Sequence, residues 1–308
     1  MKYVVTGGAG FIGSHIADYL SKNHEVVILD NLFSGKIENI RHLLDKKNVE
    51  YIQGSITIPA LLEDIFPGAD GIFHEAAIPS VPRSIANPVA TNEANITGTL
   101  NVLIAARDCG VKKVVFASSS SVYGDTPTLP KKVEMKPSPK SPYAVSKLTG
   151  EYYCQVFHEV YGLRTVSLRY FNVFGPRQDP KSEYAAVIPK FITRILKKEP
   201  PVIYGDGQQT RDFTYVKDVV QANVKAMRSD AQGVFNVAYQ QRINLLELAD
   251  MIMEYTGVRV IPVHEPPRPG DVRDSLADIS GAQKAFKYSP NYTVKTGLQE
   301  TIEWFRKK

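Results

Sequence analysis

The stretch KYVVTGGAGFIGSH, residues 2–15, constrains the fold more than any other part of the chain. A short apolar run with β character (2–6) passes straight into Gly8-x-Gly10-x-x-Gly13, with Gly7 in front, and the glycines open an apolar helical stretch over 11–21. The leading glycines permit a tight turn and close approach of the backbone to a pyrophosphate. The last one lets the helix lie close on the strand, and the helix N-terminus offers free N–H groups and a positive dipole end. A glycine run alone is weak testimony. Here it follows a first strand, precedes an apolar helix, and is answered by Asp30 at the end of a second strand. A carboxylate there accepts hydrogen bonds from an adenosine ribose and repels a 2′-phosphate, so the pattern predicts NAD rather than NADP.

The same alternation continues through the first half. Runs at 2–6, 25–30, 49–54, 71–76, 112–118 and 165–171 are nearly continuous in apolar residues, as strands covered on both faces are. Helical patterns at 11–21, 88–108 and 142–161 lie between them. This order predicts an α/β fold with a Rossmann-type doubly wound parallel sheet. After about Tyr170 prolines and glycines cluster, with helical segments near 185–198, 216–229 and 243–256. The expected organisation is a cofactor-binding domain over 1–170, with segments near 212–238 returning to it. Residues 171–308 then form mainly a smaller C-terminal substrate-binding lobe.

Composition excludes several classes of function. Hydrophobic residues make up 43% and charged residues 22% of 308, an ordinary balance for a soluble globular chain. The net charge of +5 is spread along the sequence and forms no basic stripe, so no nucleic-acid partner is expected. The N-terminus does not read as a signal peptide and no apolar run is long enough for a membrane span, which predicts a cytoplasmic protein. Cys109 and Cys154 lie far apart in unrelated patterns and predict free thiols, and the histidines have no metal-ligand spacing. His74 and Trp304 read as packing residues, and PKKVEMKPSPK (130–140) as a solvated loop.

Of 16 tyrosines only Tyr143, in SPYAVSKLTGEYY (141–153), has a lysine four residues on, at Lys147. About one such pair is expected by chance, so the pair carries meaning only within a cofactor site. That context is supplied jointly by TGGAGFIGSH, LDN, HEAA, FASSSSVYGD, SPYAVSK and LRYFNVFGPR. Together, and in this order, they resemble the extended short-chain dehydrogenase/reductases, in particular the nucleotide-sugar 4-epimerases of the UDP-galactose 4-epimerase type. The similarity runs over about residues 1–305.

The resemblance implies that Tyr143 is the catalytic acid/base and that Lys147 lowers its pKa and holds the nicotinamide ribose. Ser119, helped by Ser120, would bind the sugar 4-oxygen. Related 4,6-dehydratases carry an Asp-Glu pair where this chain has Ser120 and Ser121, and related decarboxylases a Glu at the Ser121 position. Elimination needs a placed acid and base that serines do not supply, which favours oxidation and re-reduction at C4. Cofactor contacts are implied for Gly7, Gly10, Phe11, Ile12 and Gly13 at the pyrophosphate and for Asp30, Asn31 and Ser34 near the adenosine. Ala76, Ala77, Asn95 and Tyr170 are implied nearby. Ser55 stands where the family usually has an Asp beside the adenine.

For the substrate, a UDP-sugar, the resemblance implies diphosphate and ribose contacts from Arg211 and from Arg268 with Asp271. Asn172 would contact the diphosphate and sugar, and Val187 and Tyr204 the uracil. Ser275 would border the sugar C2 substituent, and a small residue there would admit N-acetyl groups. The helices near 88–108 and 142–161 resemble those of a homodimer interface. Two alternatives stay open beside a UDP-GlcNAc/UDP-GalNAc and UDP-Glc/UDP-Gal 4-epimerase. One is another nucleotide-sugar enzyme of this fold, such as a UDP-glucuronate epimerase or a dTDP/GDP-sugar enzyme. The other is a non-catalytic NAD-binding scaffold.

Overall fold

The computed structural model describes residues 1–180, 186–267 and 273–308. Its centre is a parallel sheet built from β1 (Lys2–Thr6), β2 (Glu25–Asp30), β3 (Val49–Gln53), β4 (Gly71–His74), β5 (Lys113–Ser119) and β6 (Arg164–Tyr170). The late segment Gly233–Val237 returns to pair with β6 as a seventh strand, giving the spatial order 3-2-1-4-5-6 followed by that strand. The chain therefore winds outward both ways from β1 and β4, and the carboxyl ends at that reversal form a ligand crevice. Alternate residues of each strand feed opposite faces: Tyr3 and Val5 of β1 join one apolar cluster and Val4 the other.

Helices α1 (Phe11–Leu20), α2 (Pro59–Ile65), α3 (Val81–Ala86), α4 (Pro88–Asn92), α5 (Gly98–Asp108) and α6 (Pro142–Tyr161) belong to this half. The single helix expected over 88–108 is instead interrupted by a π-helical turn at Glu93–Thr97. Asn95 sits in that wider turn. Its amide donates to Ile78 O at 3.1 Å and Ser146 Oγ at 3.0 Å, and its oxygen accepts from Ile78 N–H at 2.7 Å. One side chain thus ties the loop after β4 to α6.

In the second half, α7 (Val187–Leu196), α9 (Leu245–Thr256) and α11 (Val294–Arg306) pack around Phe174, Phe191 and Leu298. α8 (Val216–Arg228) instead covers the central sheet with α1, and α10 (Ser280–Phe286) covers the strand Gly233–Val237. Lys113 is buried, and its ammonium caps α8 by donating to Ala226 O, Ser229 O and Ala231 O at 2.7–2.9 Å. The stretch 130–140 is not simply a solvated loop. Lys131 is buried, its N–H donates to Leu276 O at 2.7 Å, and its carbonyl accepts from Asp278 N–H at 2.9 Å. His74 packs as expected, its ring nitrogens bonded to Thr6 Oγ1 at 2.7 Å and Thr99 Oγ1 at 2.9 Å. Cys109 and Cys154 are free thiols. Among the described residues no helix is long and apolar enough to cross a membrane.

Candidate active site

The glycine turn after β1 has the shape an anion cradle needs. Gly7 adopts φ +68°, and a Cβ there would stand 2.7 Å from the N and Cα of Ala76, so only hydrogen fits between the turn and the chain leaving β4. Gly10 caps α1 without a side-chain bond to its first N–H groups, which leaves them for a ligand. Phe11, Ile12 and Gly13 form the first turn of that helix. Asp30 is buried at the end of β2. Its oxygens accept from Ala9 N–H at 2.9 Å and Leu32 N–H at 2.8 Å, which fixes the carboxyl beside the turn. Asn31 and Ser34 are exposed on the loop beyond it, and Asn31 Oδ1 accepts from Phe33 N–H at 3.0 Å. Ser55, after β3, spends its hydroxyl on a local turn with Thr57, at 2.8 Å. Ala76 and Ala77 follow β4, half-buried. These positions lie along one carboxyl edge and present a helix N-terminus, a glycine gap and a ribose acceptor. That set fits a dinucleotide.

The helix carrying Tyr143 and Lys147 starts as its sequence dictates. The Ser141 hydroxyl accepts from Ala144 N–H at 3.1 Å, and Pro142 occupies the first turn. One turn further, Gly150 lies against the Phe116 ring of β5, and a Cβ there would stand 2.7 Å from Cε1 and closer still to Cζ. That close approach brings Lys147 over the strand end, where its ammonium donates to Ala117 O at 2.8 Å. Ser119, at the end of the same strand, stands near enough to the Tyr143 phenol to draw it down, and its hydroxyl accepts from Ser121 N–H at 3.2 Å. Ser120 follows it, half-buried and turned toward neither acid nor base among the described bonds.

The electrostatics differ from the expectation in one respect. Lys147 lies 6.0 Å from the Tyr143 ring centre and is directed to Ala117 O. Burial pushes the phenol above the usual tyrosine range, the charge of Glu75 adds to this, and the Ser119 bond pulls the other way. The ammonium of Lys147 is drawn down to about 8 by burial, against the opposing pull of Glu75. Tyr170, at the end of β6, donates its hydroxyl to Glu75 Oε1 at 2.8 Å and receives a bond from Asn223 Nδ2 at 2.8 Å. Its polar end is thus spent inside the protein. Glu75 was not singled out from the sequence, although an acid closing the apolar strand GIFHEA was the available signal.

A cleft of about 520 Å³ opens beside this edge, lined by Asn172, Val187, Tyr204, Gln209 and Arg211 among others. Asn172 donates to Asp212 O and Ser275 Oγ, both at 3.0 Å, and Ser275 Oγ also accepts from Asp212 N–H at 3.2 Å. Ser275 thereby orients Asn172 at the cleft. Arg211 extends from the strand Thr210–Asp212, and its guanidinium donates to the carbonyls of Thr210 and Arg273 at 2.9 and 3.0 Å. Arg268 and Asp271 lie outside the described residues.

A family model described as NAD dependent epimerase/dehydratase family matches residues 3–238. A protein of Methanocaldococcus jannaschii named putative UDP-glucose 4-epimerase is 39% identical over 306 residues, 98% of each chain. Among solved structures, the UDP-N-acetylglucosamine 4-epimerase from Methanobrevibacter ruminantium, in complex with UDP-N-acetylmuramic acid, is similar with a TM-score of 0.97 and 46% identity. The match covers 99% of this chain and 98% of that one. The UDP-glucose 4-epimerase of Thermotoga maritima with UDP-glucose gives a TM-score of 0.95 and 39% identity over 100% and 99% of the two chains. By its glycine turn, its strand order and these likenesses, the chain belongs to the NAD dependent epimerase/dehydratase family.

Proposed function

We propose that this chain is a UDP-sugar 4-epimerase that accepts UDP-GlcNAc and UDP-GalNAc together with UDP-glucose and UDP-galactose. The observation that carries the reading is the gathering of Ser119, Tyr143 and Lys147 at the end of β5, where the Lys147 ammonium is fixed to Ala117 O at 2.8 Å, with serines and no acid at 120 and 121. The names of the M. ruminantium and T. maritima relatives support both sugar classes. Gly7, Gly10, Phe11, Ile12, Gly13 and Asp30 would hold the cofactor, with Asn31, Ser34, Ser55, Ala76 and Ala77 along its path. Asn95 and Tyr170 act from behind. NAD bound there supplies the acceptor and donor of hydride.

Tyr143 then takes the proton of the sugar 4-hydroxyl and later returns one, while Ser119 and Ser120 hold the 4-oxygen. Lys147 contributes positive charge next to the phenolate. The 4-keto sugar must turn over before re-reduction on its other face, so its grip has to come from the nucleotide. Arg211, Arg268 and Asp271 serve the diphosphate and ribose, and Val187 and Tyr204 the uracil. Asn172 and Ser275 border the sugar, and the small Ser275 leaves room for an N-acetyl group. Residues 1–170 with 212–238 form the cofactor half, and 171–308 supply most of the UDP-sugar lobe.

The test is incubation of the purified protein with UDP-Glc, UDP-Gal, UDP-GlcNAc, UDP-GalNAc and UDP-glucuronate, scored for C4 inversion. Inversion of the first four, reduced roughly a thousandfold by Tyr143→Phe, is the expected result. Inversion of UDP-glucuronate alone would replace this reading with the uronate one, and no inversion of any of the five would refute it.

A further inference from the structure

The carboxyl ends of β4, β5 and β6 carry one ionisable group that the reaction above does not use. Glu75 follows β4 directly, its N–H donating to Thr6 O at 3.1 Å. The parallel register sets His74 beside Phe116, so Glu75 and Ala117 are the next residues along neighbouring strands. Ala117 O is the acceptor that fixes the Lys147 ammonium. Tyr170, paired with Ser119 across β5 and β6, fixes Glu75 Oε1 from the other side. Among the described residues no hydrogen bond reaches the second oxygen of Glu75. Its charge is felt by Lys147 and Tyr143 alike.

The geometry points to Glu75 as the counter-charge of the cofactor: its carboxylate offsets the positive charge of an oxidised nicotinamide held beside Tyr143 and Lys147, so the protein binds NAD in preference to NADH. This rests on the hydride-transfer reading, because a tyrosine that takes the carbinol proton has to stand next to the group that takes the hydride. Without Glu75, an ammonium and a nicotinium would face each other with no anion between them, an arrangement that low-dielectric surroundings make unfavourable. A pocket that favours the oxidised cofactor also hastens return of hydride to the 4-keto sugar. Re-reduction then outruns escape of the intermediate.

The neighbouring groups make the effect readable by pH. Burial pushes Glu75 up to about 7 and draws Lys147 down to about 8. His74 is drawn down to about 3 and Cys154 pushed up to about 12, while burial raises both Tyr143 and Tyr170. Of these, Glu75 is the group that changes charge on the acid side of neutrality. Protonated at low pH, it gives NAD no advantage. Ionised as pH rises through about 7, it does, and binding of NAD releases its proton.

The experiment equilibrates wild type, Glu75→Gln and Glu75→Asp with equal concentrations of NAD and NADH, removes the excess, and reads the bound ratio by NADH absorbance across pH. Gln keeps the volume and an acceptor for Tyr170 and loses only the charge. The expected result is a wild-type ratio that shifts toward NAD with rising pH. In Glu75→Gln the step through about 7 should be missing, leaving only the change from Lys147 near 8, and the ratio between these two should be shifted about tenfold toward NADH. Glu75→Asp should stay within about threefold of wild type. A Gln variant with the wild-type ratio, or Asp and Gln variants altered alike, would overturn the assignment. Should Glu75→Gln not fold, a pH-independent wild-type ratio does the same. No sugar is present, so a chain that shows this preference and inverts no UDP-sugar would cost the substrate reading alone.

Discussion

Gly150→Ala is the substitution whose effect follows most directly from the packing of the catalytic helix. In an exposed helix the change would stabilise by about 1 kcal/mol, because alanine loses less backbone entropy. Here the added carbon would stand 2.7 Å from Cε1 of Phe116 and closer to Cζ. Ordinary carbon contacts begin near 3.5 Å, so α6 has to retreat by roughly 1 Å or the ring has to turn. The ring has little freedom: Phe116 is 1% exposed and lies 5.5 Å from the His74 ring, itself bonded on both nitrogens. Overpacking of this kind costs about 1–3 kcal/mol, so the net destabilisation should be about 0–2 kcal/mol and the protein should remain folded.

The larger effect is catalytic. Lys147 is one turn before Gly150 and loses its 2.8 Å bond to Ala117 O when the helix lifts, and Tyr143 moves away from Ser119 with it. A displacement of about 1 Å can lower turnover by roughly a hundredfold. The assay is kcat for UDP-sugar interconversion alongside thermal melting, repeated in Gly150→Ala/Phe116→Leu, where a smaller side chain restores the room. Phe116→Leu alone corrects for the lost ring face, which stands 5.1 Å from the Lys147 ammonium. The reasoning predicts that the double variant recovers at least about tenfold relative to additivity. A Gly150→Ala enzyme with kcat within about threefold of wild type would show that the close approach does not position Lys147.

Two further outcomes follow from other contacts. Ser275→Tyr should abolish turnover of acetylated sugars and retain the plain hexoses with a raised KM, since Asn172 also loses its 3.0 Å acceptor. Ser275→Ala isolates that loss at about 1 kcal/mol, or roughly fivefold in KM for both classes, and equal turnover of all four sugars by Ser275→Tyr would refute the placement. α6 exposes Val145, Tyr152, Val156 and Val160, the last at 65%, and α3 and α4, which pack against this helix, expose Ile85 and Val89. A second copy of the chain covering this stripe would give a dimer by light scattering, and Val156→Glu/Val160→Glu should convert it to a monomer.

Much of the fold was legible because its strands bury both faces. Residues 26–29 are apolar without alternation, and a sheet sandwiched by helices accounts for that, whereas in 165–170 the polar residues Thr165, Ser167 and Arg169 alternate with apolar ones and are buried all the same. The start of α6 was equally plain, since Ser141 and Pro142 state a cap and a first turn in adjacent letters. The π-helical turn at 93–97 was not, because nothing in ATNEANITGTL distinguishes a widened turn from an ordinary one. It exists to satisfy Asn95 against Ile78 and Ser146, which are distant in the sequence.

The same limit explains what was misjudged about charge. Lys113 and Lys131 are lysines with a second lysine beside each, yet both are buried: carbonyls at and after the end of α8 converge on the Lys113 ammonium, and Thr126 offers its carbonyl and hydroxyl to that of Lys131. Composition gives a lysine its preference for water, and only the fold can provide acceptors in its place. Tyr143 and Lys147 show the converse. The motif brings the pair to notice, and helical spacing alone would suggest that the ammonium acts directly on the phenol. The strand end intervenes, with Ala117 O taking the ammonium, and burial, reinforced by Glu75, raising the phenol. The electrostatic setting of the Tyr143 phenol is therefore a property of the whole carboxyl edge, to which burial, Ser119 and Glu75 beyond β4 all contribute.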